Sequence, residues 1–229
     1  MLPNKPYSIS ALSLAIVLAL SACHREVKPA PEFKRSEYNK IVISNAVEPS
    51  TLDPQKSSDM AAGAIIRQMM DGLVSTDAEG KTIPALALKW ESSDEGRVWT
   101  FHLRDANWSN GDPITAEDFV YSFRRLADPA TAAPNSSYLE DAKIQGAAEI
   151  LQGKAKPDTL GVKALDKKTL QFTLTAPVPY FPDMLIQQFT YPVHRATVEK
   201  FGEKWTQPGN YVSSGAYILK EWRVNSHIT

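Results

Sequence analysis

The chain predicts a mixed α/β fold of the α+β kind, and three observations carry that expectation. The stretch Trp99–Arg125 (WTFHLRDANWSNGDPITAEDFVYSFRR) reads as a strand, a tight turn and a capped helix in immediate succession. Leu160–Ala164 and Thr169–Leu174 are two runs with β-forming residues joined by the charged turn Asp166–Lys168, the pattern of an antiparallel hairpin. Around these pieces, strands and helices follow one another without the strict alternation that builds a doubly wound parallel sheet.

Each element has a local reason. Ile41–Ala46 (IVISNA) is β-branched and predicts a strand, after which Glu48-Pro49 and Asp53-Pro54 punctuate a loop. Ala61–Leu73 has apolar residues at helical spacing, with Gly72 near the end where a left-handed residue often caps a helix. Asp77–Gly80 is a turn, and Pro84–Trp90 fits helix or extended chain. Along Arg97–Arg104, Trp99, Phe101 and Leu103 alternate with Val98, Thr100 and His102, so one face is core. Asn110-Gly111 is a strong hairpin dipeptide.

Thr115 and Asp118 then form a capping pair for a helix whose apolar stripe is Phe119, Val120, Phe123 and Leu126. Arg124 and Arg125 suit its C-terminal dipole, and Asp128-Pro129 ends it. A loop over Thr131–Ser137, a short helix over Gly146–Gly153, a helix over Tyr180–Gln188, a helix over Val193–Phe201 and a last strand over Ala216–Trp222 complete the chain.

The composition narrows the function. The chain has 229 residues, a formal net charge of −1 and 43% hydrophobic residues. No basic stripe with interleaved aromatics is present, so nucleic acid is not an expected partner. Ile9–Leu20 is an apolar run too short for a membrane span, which needs about 20 residues. It follows Lys5 and ends in Leu20-Ser21-Ala22-Cys23, with Cys23 the only cysteine. This reads as a secretory leader over 1–22 ending in a lipobox, with Cys23 the lipidation site and residues 23–40 a charged, proline-bearing tether. A sole cysteine excludes disulfides and thiolate metal sites.

Catalytic signatures are missing. There is no glycine-rich nucleotide loop, no His-Glu-x-x-His, and no Gly-x-Ser-x-Gly elbow. His24, His102, His194 and His227 have no metal-ligand spacing and read as surface or half-buried residues. Asp112, Glu117 and Asp118 lie near two tryptophans in the manner of a glycosidase pair, but each is explained as a turn residue, a helix N-terminal charge or a cap. No enzyme activity, metal or cofactor is therefore expected. Trp90, Trp99, Trp108, Trp205 and Trp222, with Met69 and Met70, read as core.

From about Ile41 onward the chain resembles the bacterial extracellular solute-binding proteins of family 5, and within them the periplasmic oligopeptide binders. The resemblance is densest in Trp99–Arg125, Gly161–Leu174 (GVKALDKKTLQFTL), Pro177–Phe181 (PVPYF), Lys200–Asn210 (KFGEKWTQPGN) and Gly215–Trp222 (GAYILKEW). It implies a periplasmic-binding-protein-like, two-lobed receptor that closes on an extended peptide, with a small extra domain that touches little ligand. On that footing 41–70 and 195–229 are pieces of the first lobe and 71–194 is the small inserted domain, to which Trp99–Arg125 belongs.

The resemblance also implies a second lobe beyond Thr229, so the chain is expected to be an N-terminal fragment that does not hold peptide tightly alone. The partners it implies are an oligopeptide and the permease subunits of an ABC importer, for a monomeric lipoprotein of the periplasm or cell envelope, touching membrane only through its anchor. The ligand edge it implies follows the Leu52-Asp53-Pro54 turn: Ser57, Ser58, Asp59 and Met60, with Asn135 in a facing loop. Ser58 and Asp59 stand where the oligopeptide binders carry Glu and Gly, and Asn135 where they carry a ligand-contacting Tyr. Other ligands therefore stay open (a dipeptide, a murein peptide, nickel or haem), as does a sensing or surface role without transport.

Overall fold

The computed structural model describes residues 41–229. The expected leader, Cys23 and the tether lie outside the described residues. Residues 1–44 and 45–229 are separate units, and the second carries the elements described below.

Its centre is a four-stranded antiparallel sheet. Helix α1 (Met60–Met69) leads into a small hairpin, β1 (Val74–Thr76) and β2 (Thr82–Pro84), closed by the expected turn at Asp77–Gly80. Strands β3 (Ala87–Ser93) and β4 (Val98–Leu103) follow. Helix α2 (Ala116–Ala127) crosses over, and two short helices, α3 (Tyr138–Asp141) and α4 (Ala147–Leu151), precede the hairpin β5 (Val162–Asp166) and β6 (Thr169–Thr173). The sheet order is β3-β4-β6-β5. Thus β6 pairs with β4 in register Trp99↔Phe172 and Phe101↔Leu170, and the two hairpins join into one sheet. The chain ends with α5 (Phe181–Met184), α6 (Arg195–Phe201) and a two-residue-per-strand hairpin, β7 (Trp222–Arg223) and β8 (His227–Ile228).

The alternation in β4 works as its sequence demands. Trp99, Phe101 and Leu103 are buried, while Val98, Thr100 and His102 are half-exposed. Phe101 lies edge-on to Phe172 at 5.8 Å, and Phe172 contacts Phe123 of α2 at 4.9 Å and Phe181 of α5 at 5.1 Å. These edge-to-face pairs add to the burial of the rings. The stripe Phe119, Val120, Phe123 and Leu126 fixes α2 on the sheet. Its start is held by Asp118, whose carboxylate accepts from the Thr115 N–H (2.8 Å) and Oγ1 (3.0 Å).

Several expected elements differ, each for a tertiary reason. Ile41–Ala46 carries no strand, and among the described residues no segment pairs with it. Helix α1 stops at Met69, and Gly72 is not its cap. A Cβ on Gly72 would lie 2.6 Å from the Tyr191 ring, so glycine is there for close approach. The Asn110-Gly111 turn closes through Trp108 N–H to Asp112 O, but only Gly111 has positive φ and its flanks meet at the single bridge Asn107–Pro113. The helix expected over Tyr180–Gln188 is one turn. The Thr190 hydroxyl lies within hydrogen-bonding distance of the Leu185 and Gln187 carbonyls and caps the chain there. Finally, Ala216–Leu219 is not a strand: the Gly215 and Tyr217 N–H groups donate to Met69 O and Gln68 O at the end of α1. A Cβ on Gly215 would sit 2.8 Å from that helix's backbone.

Candidate functional site

The loop between Leu52 and Met60 is built by its aspartates. Asp53 accepts from the backbone N–H of Gln55 (3.0 Å) through its side chain and from those of Lys56 (3.1 Å) and Ser57 (2.9 Å) through its carbonyl. Pro54 presets the turn between them. Six residues on, Asp59 caps α1: Oδ1 accepts from Ala62 N–H at 2.7 Å, and Oδ2 accepts from the N–H and hydroxyl of Ser50. Burial pushes the Asp59 carboxyl up, but these hydrogen bonds outweigh it and hold it below the usual carboxylate range.

Between these two anchors lies the expected ligand edge. Ser57 is fully buried, and its hydroxyl has no partner among the described residues. Ser58 is exposed, and among the described residues no hydrogen bond reaches its backbone N–H or C=O. Met60 is 90% exposed, a large apolar side chain standing in solvent beside the edge. Asn135 is brought to this segment from the loop after α2, and its Nδ2 donates to Ser57 O at 3.1 Å. The five residues expected from the sequence are thus one locality, with Asp59 engaged in capping and Ser58 and Met60 open.

Sequence reading did not find what holds this loop. Arg125, expected to serve the C-terminal dipole of its helix, is largely buried against Asp53 as a two-pronged ion pair, with Nη1 3.1 Å from Oδ1 and Nη2 2.6 Å from Oδ2. Gln55 completes the arrangement, accepting from Arg125 and donating to Ser122 O at 2.5 Å. Trp205 Nε1–H adds a bond to Asp53 Oδ2 at 3.3 Å, and Trp205 stacks on Tyr211 at 5.2 Å. The Tyr211 hydroxyl donates to Leu52 O, and burial with the nearby Asp53 charge pushes its phenol far up. The available signal was an Asp in a turn and an Arg at a helix end, each with an ordinary local explanation.

An open cleft of about 710 Å³ reaches Asp53 and Arg125 from α2 and α6. Lys56, Arg124, Arg125 and Arg195 face Asp53, Glu117, Asp128 and Glu203 across it, so its charges balance, and none of the five edge residues lines it. The carboxylates near the tryptophans do not form a pair. Asp118 is in the α2 cap, and Asp112 accepts from Asn110 and lies 3.0 Å from His194 Nε2. His194, expected at the surface or half-buried, is buried between Asp112 and Thr197. Trp99, Trp108 and Trp205 are buried core, while Trp90 and Trp222 are half-buried. Among the described residues no three His, Cys, Asp or Glu side chains converge on a metal position, and no helix is long and apolar enough to cross a membrane.

Comparison with known proteins bears on this geometry. The family model of the bacterial extracellular solute-binding proteins, family 5 (middle region), matches residues 81–229. The periplasmic oligopeptide-binding protein OppA of Escherichia coli is 50% identical over 194 residues, which is 84% of this chain and 36% of that protein. The probable deoxycholate-binding periplasmic protein YgiS of Escherichia coli is 46% identical over 187 residues, 81% of this chain and 35% of that protein. Haemophilus influenzae OppA in complex with RPPGFSPFR superposes with a TM-score of 0.80 at 45% identity, covering 82% of this chain and 37% of that one. The chain therefore spans little more than a third of the length of these relatives.

Proposed function

The chain belongs to the family 5 bacterial extracellular solute-binding proteins, and on that footing we propose that it is the peptide-receiving part of the binding component of an ABC importer. The observation that carries this reading is the Ser58–Met60 edge. The open backbone N–H and C=O of Ser58 offer an extended peptide main-chain hydrogen bonds that do not depend on the peptide's side chains, while Met60 offers an adaptable apolar contact. In this reading Ser57, Ser58, Asp59, Met60 and Asn135 form one wall of the ligand site. A second lobe closes over the peptide, and 71–194 is the small inserted domain between first-lobe pieces 41–70 and 195–229. The receptor acts as a monomer with permease subunits at the cell envelope, held there by acylated Cys23.

The test is a titration of the isotope-labelled chain with trialanine followed by NMR. One wall alone gives weak binding, with a Kd on the order of 1 mM, and shifts confined to Ser58–Met60 and Asn135. Micromolar affinity would overturn the one-wall reading, and unmoved edge amides at saturating peptide would overturn the peptide reading. Relatives named for peptide and for deoxycholate lie at similar identity, 50% and 46%, which supports a second reading in which the same edge borders a pocket for an amphipathic steroid. Shifts with deoxycholate and none with trialanine would select it. Replacing Cys23 by Ser releases the protein from membranes if the anchor is as proposed.

A further inference from the structure

The edge does not hold itself. Ser58 has no backbone bond among the described residues, so its position is inherited from the anchors on either side. On the helix side the anchor is local, through Asp59 and Ser50. On the other side, beyond the local bonds of Thr51 and Asp53, the turn has anchors from far along the chain: Arg125 grips Asp53 and Gln55, Ser122 O receives Gln55, Asn135 grips the Ser57 carbonyl, and Trp205 bonds Asp53. Arg125, Ser122 and Asn135 belong to 71–194, the segment expected to touch little ligand, and Trp205 to 195–229. Arg125 and Ser122 sit on α2, whose apolar stripe is fixed in the aromatic core, so they form a stiff support.

We infer that Arg125 and Asn135 are positioning residues that hold the Asp53–Ser57 turn and thereby set how the Ser58–Met60 edge is presented to a ligand. The inference rests on the peptide reading for its ligand but not for its mechanics. A pre-set edge loses less chain entropy when a ligand strand docks, so affinity depends on these grips in addition to any contact that Asn135 makes as part of the wall. The segment 71–194 thus buttresses the edge from behind through Arg125 and from beside it through Asn135. Asn135 carries the sharper argument, because its amide reaches the carbonyl immediately before Ser58.

Native-state hydrogen exchange on the full chain tests it. The reporters are the bonded amides flanking the edge, Ser57, Ala62 and Gly63, with the β4 and β6 amides as reference. In Asn135→Ala the flanking amides are expected to exchange about tenfold faster while the sheet is unchanged. Asn135→Gln, which keeps the amide donor, should recover part of the protection. Arg125→Lys, which keeps the charge but loses the fork, should act on the same amides. Trialanine binding should weaken about tenfold in Asn135→Ala with an unchanged urea midpoint. Unaltered exchange at the flanking amides in Asn135→Ala, or equal acceleration in the sheet, would overturn the inference. Faster exchange at these amides in a chain whose wild type shows no trialanine response would uphold the positioning and instead overturn the peptide reading.

Discussion

Two regions of the molecule with similar β-forming content behave differently. Residues 87–173 contain two hairpins that find each other: β4 and β6 pair over Val98–Thr173 to His102–Thr169, and their apolar faces meet α2. Residues 41–46 and 216–224 are as β-branched and aromatic, yet Ile41, Val42, Ile43, Tyr217, Ile218 and Val224 stay exposed, and only the short β7–β8 ladder forms there. Strand propensity is a preference for a pleated, half-buried setting. The sheet region supplies that setting from its own sequence, whereas among the described residues neither of the other segments pairs with a strand of the sheet.

The contrast can be broken at its strongest point first. Phe101→Ala should destabilise the fold by about 3–5 kcal/mol, because a fully buried ring touching Phe172, Phe181 and Trp90 is removed. Urea denaturation followed by tryptophan fluorescence measures it, and a loss as small as that of a surface change would place the sheet outside the cooperative core. Asp53→Ala leaves the largely buried Arg125 guanidinium without its partner and should lose about 3 kcal/mol. That result would extend the core's cooperativity to the edge-bearing loop.

A smaller effect comes from acid. The folded Asp59 carboxyl lies below its unfolded value of about 3.9, so its contribution is present above that pH and is lost as pH falls through the folded value. Asp59→Ala should flatten the stability profile in that range and nowhere else. The smallest effect belongs to the exposed terminal segment: Ile218→Ser should change stability by no more than about 0.5 kcal/mol. A larger loss there would mean that the segment shares the sheet's core.

What could be read from the sequence follows the range of the interactions. The Thr115–Asp118 cap, the β4 alternation and the α2 stripe depend on neighbours two to four positions away, and all are present. The five edge residues came from family resemblance, and the Asn135–Ser57 bond joins the loop residue to the edge. The Asp53–Arg125 pair was not legible, since its members are 72 positions apart and each suits a local role. Gly72 misled for the same reason: a glycine after a helical pattern signals a cap, and only the distant Tyr191 ring explains it. The strands expected over Ile41–Ala46 and Ala216–Trp222 failed because a ladder needs a neighbour that no periodicity announces.

The contact of Gly72 with Tyr191 has an architectural consequence. The chain passes Gly72, builds the hairpins, the sheet and α2, and comes back at Tyr191 to the point from which it left. A stretch whose two ends touch closes a loop at no extra distance, so a short linker between Asp71 and Pro192 would bridge the gap if the stretch were removed. The two ends of this stretch meet as a glycine against an aromatic ring. Any side chain at position 72 would press on that ring, which must shift to make room.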